Sequence, residues 1–175
     1  MEFSNVLKLR KSIRGYKPEQ ITKEELEKVL WGAYTAPVGR GAFDSLHLAV
    51  IQDPEVIENI RLAVADKMES PLKPFYAAPT VILVCGQKSK VAEKVIVYAD
   101  VACVTAQMHL AATDAGLGSI YLHGFIAPLN AKPEEVAKLG LPEDFIPLAA
   151  LSVGYPKEPL AERELKWEKI ATTYL

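Results

Sequence analysis

The chain has 175 residues; half are hydrophobic, 24% are charged, and the formal net charge is −2. That length suits one domain of ordinary size over residues 1–175, able to bury roughly 70% of its unfolded surface. The slightly acidic balance excludes a broadly basic nucleic-acid binder, so any anion site must be local, and the apolar content points to an oligomer with a buried interface.

Ser4 reads as the cap of a short helix, NVLKLRKS, that ends near Ser12. It runs into RKSIRGY (10–16), three cations around one small hydroxyl. Thr22 and Glu25 form a capping box, followed at helical spacing by Leu26, Val29, Leu30 and Ala33, and Pro37 lies beyond the helix end. VGRGAFDS (38–45) is a loop, and LHLAVIQ (46–52) is a strand in which His47 falls at an alternating position. Asp53 and Pro54 start a helix to about Lys67, and SPLKPFYAAP (70–79) is a proline-punctuated loop. TVILVCG (80–86) is a continuous apolar, β-branched run and reads as a buried strand.

The segment from about Val91 to Ala115 is the longest predicted helix. Val95, Ile96, Ala99, Val101, Cys103, Val104, Met108, Leu110 and Ala111 do not share one stripe, so it must be covered on several sides, and a second subunit would do this readily. His109 sits on it as a core or interface histidine. Gly116 ends it, and SIYLHGF (119–125) is a strand running into a turn. Pro133 opens the short helix PEEVAKLG, IPLAALSVG (146–154) is another buried strand, and a charged tail, PKEPLAERELKWEKIATTYL, follows. About four strands with helices before, between and after them give an α/β or α+β domain.

Several chemistries are excluded. MEFSNVLKLRKS lacks the apolar core and cleavage site of a signal peptide, and the chain has no run of about 18 apolar residues to span a membrane. Cys85 and Cys103 stand in apolar runs without CxxC or metal-ligand spacing, and read as two buried free thiols in a reducing cytoplasm. GLGS (116–119) follows a helix and precedes a strand, with Tyr121 where a dinucleotide fingerprint needs its third glycine, so it is a helix end and turn. There is no P-loop, no GxSxG and no HExxH, and His47, His109 and His123 make no metal set.

RKSIRGY supports two readings on spacing alone. One is a basic helix end favoured by the macrodipole. The other is an anion site in which Arg10 grips a phosphate in bidentate fashion, Ser12 adds a short hydrogen bond, Lys11 adds a mobile charge and Arg14 points elsewhere.

The whole chain resembles the nitroreductase family of FMN-dependent oxidoreductases. The resemblance is carried in order by RKSIRGY with ITKEELEKVLWGAYTAP, by YAAPTVILVCG, by DVACVTAQMHLAATDAGLGSIYLHGF and by LAALSVGYPKEP. It implies an α+β fold, a helix-rich three-layer α/β/α domain with a mostly antiparallel mixed sheet, assembled as a homodimer with FMN at the interface. By position, Arg10 and Ser12 would hold the FMN phosphate with Lys11 nearby. Arg14 would face the pyrimidine edge of the flavin, where a positive charge favours the reduced state. Leu122, His123 and Gly124 would pass the reactive edge, with backbone N–H groups of His123 and Gly124 reaching N5 and O4. Arg163, or failing it Lys166, would add a cation to the phosphate, and Lys73 would approach the O2 edge. NADH or NADPH would deliver a hydride to the flavin, and a nitro, quinone or related conjugated acceptor would then collect the electrons at the same place, giving ping-pong kinetics. No catalytic acid or base is implied. Val38, Gly41 and the absence of Gln-Pro-Trp depart from the family's usual Ala-Pro-Ser loop. Dehalogenation, azoline oxidation, flavin fragmentation or redox sensing on the same fold therefore stay open alternatives.

Overall fold

The computed structural model describes residues 1–67, 74–93, 96–166 and 169–175. Lys73 lies outside the described residues. Helices α1 (Phe3–Leu9) and α2 (Lys23–Tyr34) precede strand β1 (Leu46–Ile51) and helix α3 (Pro54–Val64). Then come β2 (Thr80–Gln87), α4 (Lys88–Glu93), α5 (Ile96–Asp114), β3 (Gly118–Leu122), α6 (Ile126–Asn130), α7 (Pro133–Ala137) and β4 (Phe145–Gly154).

The four strands form a sheet in the order β1-β2-β4-β3, with every neighbouring pair antiparallel. One isolated parallel bridge, Ser12 with Ser119, adds the N-terminal segment to the β3 edge. Alternate residues of β2 go to opposite faces, as the strand period requires. Ile82 and Val84 pack with Val29 and Ala33 of α2 and with Val101, Val104 and Met108 of α5. Val81, Leu83 and Cys85 pack with Ile60 and Val64 of α3 and with Phe125, Ile126 and Leu129 around α6. The result is a three-layer α+β arrangement, as expected.

The local signals act as their chemistry demands. The Thr22 hydroxyl accepts the Glu25 N–H (3.2 Å) while the Glu25 carboxylate accepts the Thr22 N–H (2.8 Å), so two orphan donors of α2 are satisfied reciprocally. Asp53 caps α3 by accepting the Glu55 N–H at 2.8 Å, with Pro54 in the first turn. Gly116, at φ +77°, turns the chain from α5 toward β3.

Two expectations need correction, the bounds of the first helix and the burial of Cys103. Helix α1 starts on the carbonyl of Glu2 rather than at a Ser4 cap, and it stops at Leu9 rather than near Ser12. It stops early because the next residues are drawn to the sheet: Arg10 is extended, Ser12 bridges Ser119, and the Ile13 N–H donates to the Ser119 carbonyl at 3.0 Å. The segment read as a helix from about Val91 to Ala115 is helical over Lys88–Glu93 and Ile96–Asp114, and residues 94 and 95 lie outside the described residues. Strand β3 runs into a turn at Gly124 and Phe125, as read from SIYLHGF, and there the His123 carbonyl accepts the Ile126 N–H at 3.0 Å and opens the unforeseen helix α6. Cys85 is buried, but Cys103 on α5 is only partly so.

Candidate functional site

The segment from Arg10 to Lys17 runs along one edge of the sheet and is fastened at both ends. Ser12 and Ile13 hold to Ser119 at the start of β3. At the other end, Tyr16 bridges Pro156, the Lys17 N–H donates to the Tyr155 carbonyl (2.8 Å) and the Lys157 N–H donates to the Gly15 carbonyl (3.1 Å). Gly118 permits this approach: a β-carbon there would lie 2.9 Å from Cγ2 of Ile13, inside contact distance. The cations of RKSIRGY are thus held by backbone bonds to β3 and to the segment that follows β4.

The first of them, Arg10, is half-buried at the end of α1, and its Nη1–H donates to Nε2 of His109 at 2.9 Å. Arginine can only donate, so Nε2 is the acceptor and the proton sits on Nδ1. Nδ1 in turn lies 2.5 Å from Oγ of Ser119. Arg163, in the segment after β4, closes the cluster: its backbone N–H donates to the Lys8 carbonyl (3.1 Å) and its Nη2–H to the Leu7 carbonyl (3.2 Å). Its Nε is buried without a partner among the described residues.

The electrostatics of the cluster are one-sided. Burial, then the charge of Arg163, holds the Arg10 guanidinium below its ordinary pKa. Burial, then the Arg10 charge and more weakly that of Arg163, depresses His109 to about 4, so the ring is neutral at ordinary pH. Neither Arg10 nor Arg163 forms an ion pair with a carboxylate among the described residues. Two partly buried cations, a neutral histidine and no counter-charge suit an anion.

A second group lies further along the same edge. The Arg14 guanidinium stands 5.8 Å from the centroid of the Tyr76 ring, within cation–π range. Tyr76 has φ +56° and its successor Ala77 φ +58°, so this loop holds two consecutive non-glycine residues in the left-handed region. Tyr76, Ile13 and Leu122 pack around buried Tyr16, Ala78 and Ile120. Ser119, beside the arginines, and Leu122, beside Tyr76, are about 10 Å apart at the usual rise of a strand. His123 and Gly124 follow in an exposed turn, and space is open around Gly124.

Of the residues singled out from the sequence, Arg10, Ser12 and Arg163 come together in one cluster, and Arg14 and Leu122 in its neighbour. Lys11 is half-buried beside the first cluster, and Lys166 is exposed. His109 and Tyr76 escaped sequence reasoning. His109 was placed on its helix but not joined to Arg10, which lies 99 residues away. The available signal was the short helix–turn–strand passage after it, which lays the last turns of α5 against the first residues of β3. On the opposite flank, Phe43 lines a cleft of about 330 Å³ with Ala33, Tyr34, Leu46, His47, Leu48 and Val104. Arg40, at φ +58°, is exposed.

Among the described residues, no helix is long and apolar enough to cross a membrane and no cluster of His, Cys, Asp or Glu could hold a metal ion. Comparison with known proteins assigns the chain's family. A model of the nitroreductase family matches residues 7–155. A curated relative from Archaeoglobus fulgidus, whose provisional name pairs NADH dehydrogenase with NAD(P)H nitroreductase, is 31% identical over 152 residues, covering 85% of this chain and 82% of the relative. The crystal structure of a nitroreductase family protein from Clostridium difficile 630 superposes with a TM-score of 0.75 at 30% identity, over 100% of both chains. A nitroreductase with bound FMN from Desulfitobacterium hafniense DCB-2 shares the fold, with a TM-score of 0.82 at 21% identity over 99% of each chain. The chain belongs to the nitroreductase family.

Proposed function

We propose that this chain is an FMN-dependent NAD(P)H oxidoreductase, one FMN-binding domain over residues 1–175 that works as a cytoplasmic homodimer with flavin at the subunit interface. The observation that carries the reading is the pairing of Arg10 with Arg163, with no carboxylate partner among the described residues and with the buried Arg163 Nε lacking an acceptor. A phosphate supplies the missing negative charge and acceptor oxygens. The family match and the FMN-bound nitroreductase of the same fold identify FMN as the phosphate carrier that fits best.

On this reading Arg10 and Arg163 grip the phosphate, the Ser12 hydroxyl donates to it, and Lys11 adds charge nearby. The Arg14–Tyr76 group would serve the ring, where the Arg14 charge would favour the extra negative charge of the reduced state. Backbone N–H groups of His123 and Gly124 would be the donors toward the ring, since the exposed turn leaves room around Gly124 for close approach. FMN, when bound, would supply the redox chemistry of a ping-pong exchange between NADH or NADPH and a nitro, quinone or related conjugated acceptor. The protein's tasks are to bind, to orient and to exclude water.

The dimer draws support from a groove where α1, α2 and α5 meet, lined by Phe3, Trp31 and Leu110. Phe3 and Trp31 are 63% and 67% exposed, which is costly for large apolar side chains unless a second subunit covers them. The unpaired thiols of Cys85 and Cys103 suit a reducing compartment.

The test is direct. Purified protein should be yellow, release FMN on denaturation, and bleach anaerobically with NADH or NADPH. Colourless protein that takes up no added FMN would defeat the proposal.

A further inference from the structure

We propose that His109 is a positioning residue for Arg10: a neutral acceptor that aims the guanidinium at the cofactor phosphate without cancelling its charge. The inference rests on the reading of Arg10 as a phosphate ligand and goes beyond it by assigning a task to a buried residue that does not touch the phosphate.

The ring is held at both nitrogens. Nε2 accepts from Nη1 of Arg10 at 2.9 Å, and Nδ1–H donates to Oγ of Ser119 at 2.5 Å. Ser119 is itself fixed, because its carbonyl accepts the Ile13 N–H and its backbone bridges Ser12. His109 is only 6% exposed on α5, so the imidazole is packed as well as bonded. One short chain of contacts therefore connects the helix, the strand and the basic segment, and it fixes the direction of the Arg10 side chain.

The neutrality of the acceptor matters. A buried arginine is ordinarily oriented by a carboxylate, which gives two strong bonds and neutralises the charge. An arginine neutralised in that way is a weak partner for phosphate. Here the acceptor is an imidazole whose pKa is depressed to about 4 by burial and by the two nearby arginines, so it stays uncharged. The bond engages one of the guanidinium's five N–H donors and leaves the others available.

The test measures binding rather than turnover. Flavin-free protein is titrated with FMN and with riboflavin, which lacks the phosphate, and flavin fluorescence is followed. His109→Leu should weaken FMN by about tenfold or more, the usual worth of a hydrogen bond to a charged group, and leave riboflavin unchanged. Loss of FMN and riboflavin affinity in equal measure, or of neither, would overturn the proposal. His109→Gln and His109→Glu form a second pair, nearly equal in shape, one neutral and one charged, that stands even if the leucine variant fails to fold; in the glutamate the Ser119 hydroxyl turns to donate. The glutamine should bind FMN within about threefold of wild type, while the glutamate should fall about tenfold below the glutamine. Equal FMN affinities in these two variants would overturn the claim that neutrality is the point. Wild-type protein that binds riboflavin as tightly as FMN would overturn the phosphate assignment instead, and this separates the two failures.

Discussion

Mild acid should destabilise this protein through one residue. His109 titrates near 4 in the folded chain because burial and the Arg10 and Arg163 charges oppose its protonation, against an ordinary value of 6.5. A base with a lowered folded pKa binds protons in the unfolded state first, so stability falls as pH drops below 6.5 and the loss is complete below about 4. The full difference of about 2.5 units corresponds to roughly 3 kcal/mol at 1.36 kcal/mol per unit. Between pH 7 and pH 5 the share is about 2 kcal/mol, because at pH 5 the unfolded histidine is almost fully charged and the folded one is still neutral. For a chain of this length each kcal/mol moves Tm by about 2–4 °C, so the expected fall is about 4–8 °C. The assay is thermal unfolding of flavin-free protein at pH 7, 6 and 5 and fixed protein concentration, comparing wild type with His109→Gln. The glutamine cannot titrate in this range but retains an acceptor for Arg10. Its Tm should therefore lack this part of the acid slope. Parallel curves for the two proteins would refute the linkage argument, because every other titrating group is common to both.

Arg10→Ala should weaken FMN binding by about ten- to a hundredfold through loss of a charged hydrogen-bonding partner, and unchanged affinity in a fluorescence titration would reject its phosphate role. Arg163→Met should also weaken FMN and flatten the salt dependence of binding, whereas exposed Lys166→Met should leave both near wild type; the reverse ranking would exchange the two assignments. Thr22→Ala opens the capping box of α2 and should cost about 1 kcal/mol, read as a drop in Tm. Trp31→Glu places a charge in the proposed interface and should weaken dimerisation by at least about thirtyfold in sedimentation, with flavin lost in parallel; a monomer that still holds FMN tightly would contradict the interface site.

The sequence carries these features unequally, because some forces are local and others are not. Capping at Thr22 and Asp53 involves atoms within three residues of each other, so the helix starts can be read directly. Strands β2 and β4 lie at the centre of the sheet and are buried on both faces, so their continuous apolar runs announce them. The edges are harder. The turn that ends strand β3 is legible in SIYLHGF, but the helix α6 that follows is opened by a backbone bond to the His123 carbonyl in which side-chain pattern has no part. The early end of α1 has the same origin, since Ser12 and Ile13 leave the helix for bonds to a strand more than a hundred residues away. The basic cluster combines both cases. RKSIRGY is visible as a charge pattern, but what distinguishes a basic helix end from an anion site is the surroundings of Arg10, and these come from distant segments. Arg163 brings a second cation from the C-terminal segment, and His109 brings a neutral acceptor from the middle of the chain. A carboxylate in either place would have made Arg10 a structural ion pair. The anion-binding character of the site therefore depends on which residues the fold omits as much as on which it supplies, and a pattern scan along RKSIRGY alone cannot detect that omission.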